Sequence, residues 1–241
     1  MTDSAIHHPD SALLGAFVSG DLPMGINLAI SSHVDQCPQC REGIARVTQA
    51  TSQQWFEVST DNEQGFPAGL SDVLEHIVTQ PARHPASEPR ESRLRNVTGL
   101  RLWDREIKLP PLLTRILAGR LNWNEIGRGI HQVLLDVDPL TKCEIIHMGP
   151  GARVPDHTHL GSEFMLVLDG DITDSFGSYG PGDFVARDKR DRHWQTTDAG
   201  CLCLFVTDAP LLFTEGLARL INPLNRLRFW WSRRRTSKIK A

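Results

Sequence analysis

The sequence predicts an α + β multidomain chain, with a small helical bundle at its N-terminus and an antiparallel β jelly-roll barrel after it. Three observations predict this. Within the first 80 residues, apolar side chains recur at helical spacing. From about Val97 the chain turns to short apolar runs separated by Gly, Pro and Asp, the cadence of an antiparallel barrel. Between the two lies Pro81-Ala-Arg-His-Pro85-Ala-Ser-Glu-Pro89-Arg, a proline-rich polar linker expected to be extended and semi-rigid. The expected boundaries are 1–80 for the bundle, 81–96 for the linker, 97–212 for the barrel and 213–241 for a basic amphipathic tail.

Taken in order, residues 10–19 read as a short helix with Leu13, Leu14 and Phe17 on one side. Residues 24–32 read as a second, with weaker periodicity from Ile26, Leu28 and Ile30. Pro38 suits the first position of another helix, where its missing N–H would be unpaired anyway. Residues 70–78, with Leu70, Val73, Leu74 and Ile77, form a further amphipathic stretch that either packs on the bundle or lies across a partner. In the barrel, 133–135, 143–146, 164–168, 184–186 and 201–206 read as strands. In the tail, Phe213, Leu217, Leu220, Leu224, Leu227 and Trp231 make a helical stripe that Pro223 interrupts. Tryptophan beside arginine in 228–235 suits an anionic lipid surface or nucleic acid, and also a helix docked on the barrel with a basic end, the reading favoured here.

Two clusters carry chemistry. The first is His33-Val-Asp-Gln-Cys37-Pro-Gln-Cys40. Cys37 falls near a helix N-terminus, where the dipole favours the metal-ligating thiolate, and Cys40 is one turn further along the same face. His33 reaches in from the end of the preceding helix. A structural zinc takes four ligands, and His7 and His8 are the candidates for the last. The second runs Gly151-x5-His157-x-His159-x3-Glu163-x6-Gly170. His157 and His159 share one strand face, Glu163 follows a short turn later, and His193 can close a shell of three histidines and a glutamate. That set suits zinc, iron, manganese or nickel. Cys201 and Cys203, also on one strand face, are either core side chains or oxidant-sensing thiols.

The glycine-bounded pattern from Gly151 to Gly170 resembles the first motif of the cupin superfamily. The Pro181-Gly182 turn with His193 resembles the second, at a longer spacing. A His-x3-Cys-x2-Cys motif in a small acidic head resembles the zinc anti-sigma domain. Joined to a cupin, it resembles the ChrR family of anti-sigma factors, over residues 1 to about 212. That resemblance implies His8 as the fourth zinc ligand beside His33, Cys37 and Cys40, and a cupin metal at His157, His159, Glu163 and His193. It also matches the family's late Cys-x-Cys with Cys201 and Cys203. It implies a regulator whose zinc head holds an extracytoplasmic-function-type sigma factor away from core RNA polymerase, in a one-to-one complex. The cupin would release that partner under oxidative stress such as singlet oxygen.

Charge distribution narrows the function classes. The formal net charge is −3, yet residues 1–80 hold ten acidic side chains against Arg41 and Arg46, and residues 213–241 hold eight basic groups against Glu215. An acidic head argues against direct DNA binding and favours a basic protein partner. The first residues carry no cationic, apolar leader pattern, no apolar run reaches about 20 residues, and the cysteines are five, so the cytoplasm is the expected location. A second function class stays open: a metal-dependent, dioxygenase-like cupin enzyme with the zinc head as a docking module. No second acid–base pair is evident beside the cupin ligands, and the expectation is a regulator rather than an enzyme.

Overall fold

A computed structural model describes residues 6–60, 70–79, 99–102, 105–117 and 121–236. The linker expected at 81–96 lies outside the described residues. Helices α1 (Ser11–Ser19), α2 (Met24–Val34) and α3 (Pro38–Thr60) make the head, and α4 (Leu70–Thr79) follows in the chain. Asp10 caps α1 by accepting the Leu13 N–H at 2.7 Å. Pro38 is the first residue of α3, as the missing N–H requires.

The barrel is two antiparallel sheets. β7 (Glu163–Gly170) and β12 (Cys201–Thr207) are neighbouring inner strands of a six-stranded sheet with β10 (Phe184–Arg187), β5 (Lys142–Met148), β4 (Ile130–Leu135) and β3 (Asn124–Gly127). The five-stranded sheet holds β13 (Leu211–Phe213), β6 (Arg153–His159), β11 (Arg192–Thr196), β8 (Ile172–Asp174) and β9 (Ser178–Tyr179). A hairpin of β1 (Gly99–Leu102) and β2 (Arg105–Lys108) and the short helix α5 (Pro111–Ile116) precede β3.

Side-chain alternation on β7 and β12 explains where the head sits. Met165, Val167, Cys201, Cys203 and Phe205 point into the barrel core. Phe164, Leu166, Leu168, Leu202, Leu204 and Val206 join a second core that includes Leu14, Ile26, Leu28, Ile30 and both head cysteines. The head therefore covers the outer face of the six-stranded sheet. With both faces covered, these strands are apolar throughout instead of alternating with polar residues. Close approach depends on Gly25, where a Cβ would overlap Thr141 Oγ1 and Cys143 Sγ. Asp138, in the turn before β5, accepts the Gly25 N–H at 2.6 Å.

The tail differs from its sequence reading. Phe213 ends β13 opposite His157 and is no part of a helix. A 3₁₀ turn (Leu217–Ile221) leads into α6 (Asn222–Thr236), with Pro223 inside the first turn of α6. Pro223 thus opens a helix rather than breaking one, because its absent N–H falls where none is needed. The apolar stripe also faces outward. Leu217, Leu220, Leu224, Leu227 and Trp231 are exposed, and Phe229, buried, packs α6 on the barrel. Among the described residues no single helix is long and apolar enough to cross a membrane; α1 and α2 reach that only as a pair bent by 113°.

Candidate metal centres

In the head, four side chains converge from three elements: His8 from the segment before α1, His33 from the last turn of α2, and Cys37 and Cys40 from the start of α3. His8 Nδ1 lies 3.4 Å from His33 Nε2, 3.4 Å from Cys37 Sγ and 3.5 Å from Cys40 Sγ. His33 Nε2 lies 3.3 Å from Cys40 Sγ. Zinc–nitrogen and zinc–sulfur bonds of roughly 2.0 and 2.3 Å give tetrahedral edges of roughly 3.3–3.8 Å, so the spacing fits a Cys₂His₂ zinc. His7, the other candidate, points elsewhere, its Nδ1 lying 3.4 Å from Asp183 Oδ2. Burial, with Cys37 beside it, pushes the Cys40 thiol up to about 12 in the metal-free chain. A zinc ion would displace that proton, so binding releases protons and weakens as pH falls.

The second cluster bridges the two sheets. His157 and His159 share one face of β6, His193 on β11 pairs directly opposite His157, and Glu163 opens β7. His159 Nε2 and His193 Nε2 are 3.2 Å apart, and Glu163 oxygens lie 3.6 and 3.7 Å from these two nitrogens. All four residues are buried. His157 Nε2 is buried without a hydrogen-bond partner, while its Nδ1 is held 2.8 Å from the Pro155 carbonyl. An orphaned lone pair beside two imidazoles and a carboxylate is the donor set a divalent cation satisfies. Burial first, then the neighbouring histidines, push His157 and His159 down to about 4, so both rings are neutral at neutral pH. Burial pushes the Glu163 carboxyl up. These four are also the residues that would hold zinc, iron or manganese.

Residues of the supporting shell were not legible as site residues. Asp174 Oδ2 lies 3.2 Å from His193 Nδ1 and orients that ring. Burial alone would raise Asp174, but hydrogen bonds from His193, the Phe176 N–H and Arg187 hold it well below the usual carboxylate range. The long spacing from Gly182 to His193 is taken up by β10 and a turn at 188–191, closed by the Asp191 N–H to the Asp188 carbonyl at 3.0 Å. Cys201 and Cys203 are buried in the barrel core. The contact with Cys201, then burial, raises the Cys203 thiol well above its ordinary value, which leaves it a neutral thiol. A cavity of about 1130 Å³ inside the barrel reaches Glu163 and is lined by Ile146, Phe205 and, from α6, Arg228 and Phe229.

A jelly-roll barrel with a buried centre of three histidines and a glutamate defines a cupin, here carrying a helical head with a second candidate metal centre. Residues 114–211 match the family described as the ChrR cupin-like domain. Over 225 residues the chain is 28% identical to anti-sigma-E factor ChrR of Cereibacter sphaeroides, covering 92% of this chain and 98% of that protein. The match spans head and barrel together. The crystal structure of Rhodobacter sphaeroides SigE in complex with the anti-sigma ChrR shares the fold at a TM-score of 0.63 and 24% identity, covering 84% of this chain and 98% of that one. A structure of a putative acetylacetone dioxygenase from Methylibium petroleiphilum aligns at a TM-score of 0.37 and 17% identity, covering 39% of this chain and 76% of that one.

Proposed function

We propose that this protein is an anti-sigma factor whose head sequesters an extracytoplasmic-function-type sigma factor one-to-one. Its cupin metal centre governs release on an oxidative signal. The observation that carries the reading is a relative named as an anti-sigma factor that aligns across head and barrel together. The buried His8, His33, Cys37 and Cys40 cluster supports it, because it ties the segment before α1 to α2 and α3. Helix α4 supplies a surface for a partner: Val73, Ile77 and Val78 are 52%, 61% and 80% exposed. Apolar side chains in such a row favour a protein groove over water. Zinc in the head and zinc, iron or manganese in the cupin complete the proposal.

Affinity purification of the tagged chain from its own cells, with mass spectrometry of stoichiometric partners, tests this. An equimolar small sigma factor is the expected result. Its absence across several growth conditions would favour the enzyme reading, to which the cavity beside Glu163 would then belong. We also propose that the outward stripe of the 3₁₀ turn and α6 touches anionic lipid. Leu217, Leu220 and Trp231 are exposed beside Arg219, Arg226 and Arg228. Flotation with phosphatidylglycerol vesicles, lost at high salt and on Trp231→Ser, is the expected behaviour.

A further inference from the structure

The two metal centres are joined by residues that belong to neither. The turn between β9 and β10 touches the head cluster directly. Gly182 has a φ of 93°, in the region that favours glycine, and its carbonyl accepts the His33 Nδ1–H at 2.7 Å. That bond fixes the tautomer and leaves His33 Nε2 facing the cysteines. Asp183 Oδ1 accepts the N–H groups of Ile6 and His7 at 2.6 and 2.9 Å, and its Oδ2 accepts the Gly180 N–H at 2.9 Å. The Phe184 N–H donates to the His7 carbonyl at 3.0 Å. The segment bearing His8 is thus laid along the start of β10. Both histidines of the head take their orientation from the barrel.

A second run of contacts begins at the barrel centre. His193 Nδ1 meets Asp174 Oδ2 at 3.2 Å, and the Tyr179 hydroxyl donates to Asp174 Oδ1 at 3.0 Å. Arg187 donates to both Asp174 and Tyr179 and locks the pair. The Tyr179 ring meets the edge of the His7 ring with centroids 4.8 Å apart at 72°. His7 immediately precedes the ligand His8. Asp174, Tyr179, Asp183 and His193 are all buried, while the His7 side chain at the end of the run is 43% exposed.

We propose that Tyr179, Gly182 and Asp183 are positioning residues of the head metal centre, and that through Asp174 they tie its geometry to the occupancy of the barrel centre. A shift of the His193 ring moves Asp174, whose other oxygen holds Tyr179, whose ring braces His7. The inference gives the proposed release a physical route and takes its purpose from that reading. The coupling itself exists or fails with no partner present. Contiguity alone does not demonstrate coupling, so the test measures coupling.

The full chain is loaded with cobalt in the head, where thiolate-to-cobalt charge transfer reports only the cysteine-containing site. Decay of that band into a chelator is followed with the barrel empty and with it filled by manganese, which a thiolate site takes poorly. Losing an outer-shell partner costs roughly 10–100-fold in metal affinity, so Asp183→Ala speeds cobalt loss by about 10-fold or more. Asp183→Asn, which keeps an acceptor for Ile6 and His7, speeds it less. Filling the barrel changes the native rate by about fivefold or more, the lower range of allosteric coupling. Tyr179→Phe keeps the ring on His7 and removes the dependence on manganese. A native rate indifferent to the barrel metal overturns the proposal, as does full dependence in Tyr179→Phe or an unchanged rate in Asp183→Ala. Manganese stoichiometry shows that each variant's barrel is intact, and should Asp183→Ala misfold, Asp183→Asn and Tyr179→Phe decide the matter. No sigma factor enters the assay, so failure here and failure of partner capture are separate results.

Discussion

Two glycines in neighbouring helices should respond oppositely to the same substitution. Gly15 in α1 has open space where a Cβ would stand, whereas at Gly25 in α2 the Cβ would overlap Thr141 Oγ1 and Cys143 Sγ on the barrel. Replacing a helical glycine by alanine stabilises by about 0.5–1 kcal/mol. Overfilling a packed interface costs about 1–3 kcal/mol, and lifting α2 would also stretch the Gly25 N–H bond to Asp138. Gly15→Ala is then worth a gain of about 0.5–1 kcal/mol, and Gly25→Ala a net loss of up to about 2 kcal/mol. At about 2–4 °C per kcal/mol for a chain of this size, Gly15→Ala should raise Tm by about 1–4 °C and Gly25→Ala lower it by up to about 8 °C. Calorimetry of the metal-loaded chain reads both. A Gly25→Ala chain melting at or above the native temperature would refute the claim that α2 is seated on the sheet through that position.

Removing Cys37 or Cys40 as alanine should abolish the head metal and partner capture, since structural zinc contributes on the order of 10 kcal/mol to folding. Because Ile26, Leu28 and Ile30 remain on the sheet, hydrogen exchange should show protection lost at the start of α3 and kept in α2. Phe229→Ala should cost about 3–5 kcal/mol in the docking of α6 and open the chain to trypsin at Arg226 and Arg228, seen by limited proteolysis. The pH dependence follows from His157 and His159, which ordinarily titrate near 6.5 and here near 4. Between those values the unfolded chain binds more protons than the folded one, so the metal-free barrel should lose stability as pH falls from 6.5 towards 4. Melting temperatures that stay flat across that window would contradict the burial argument.

Both candidate metal clusters were legible because most of their residues sit close in sequence on regular elements. His157 and His159 need only a strand's two-residue repeat, and Cys37 and Cys40 only one helical turn. Choosing His8 over His7 came from family resemblance, and the structure brings His8 into the cluster and turns His7 towards Asp183. The apolar runs did not mark β11 or the full extent of β6, since Arg153–His159 and Arg192–Thr196 are polar where their inward residues form the candidate metal cluster. The C-terminal stripe misled for a related reason. Periodicity shows that apolar residues share a face, and burial of Phe229 rather than Leu224 or Leu227 decides which face docks. Asp174 and Asp183 carry no signal of their own, because a lone aspartate near a turn is ordinary until folding brings His193 or His7 against it.

The doubly covered sheet has a consequence for how such a chain can evolve and be taken apart. Cut away from its head, the barrel would present Phe164, Leu166, Leu202, Leu204 and Val206 to water as one contiguous oily wall. Head and barrel are therefore not interchangeable modules on a string. A head grafted from a distant relative would have to reproduce the whole mating surface, glycine included. Any signal passing between them travels through a solid joint, by small shifts of packed groups rather than by the parting of two bodies.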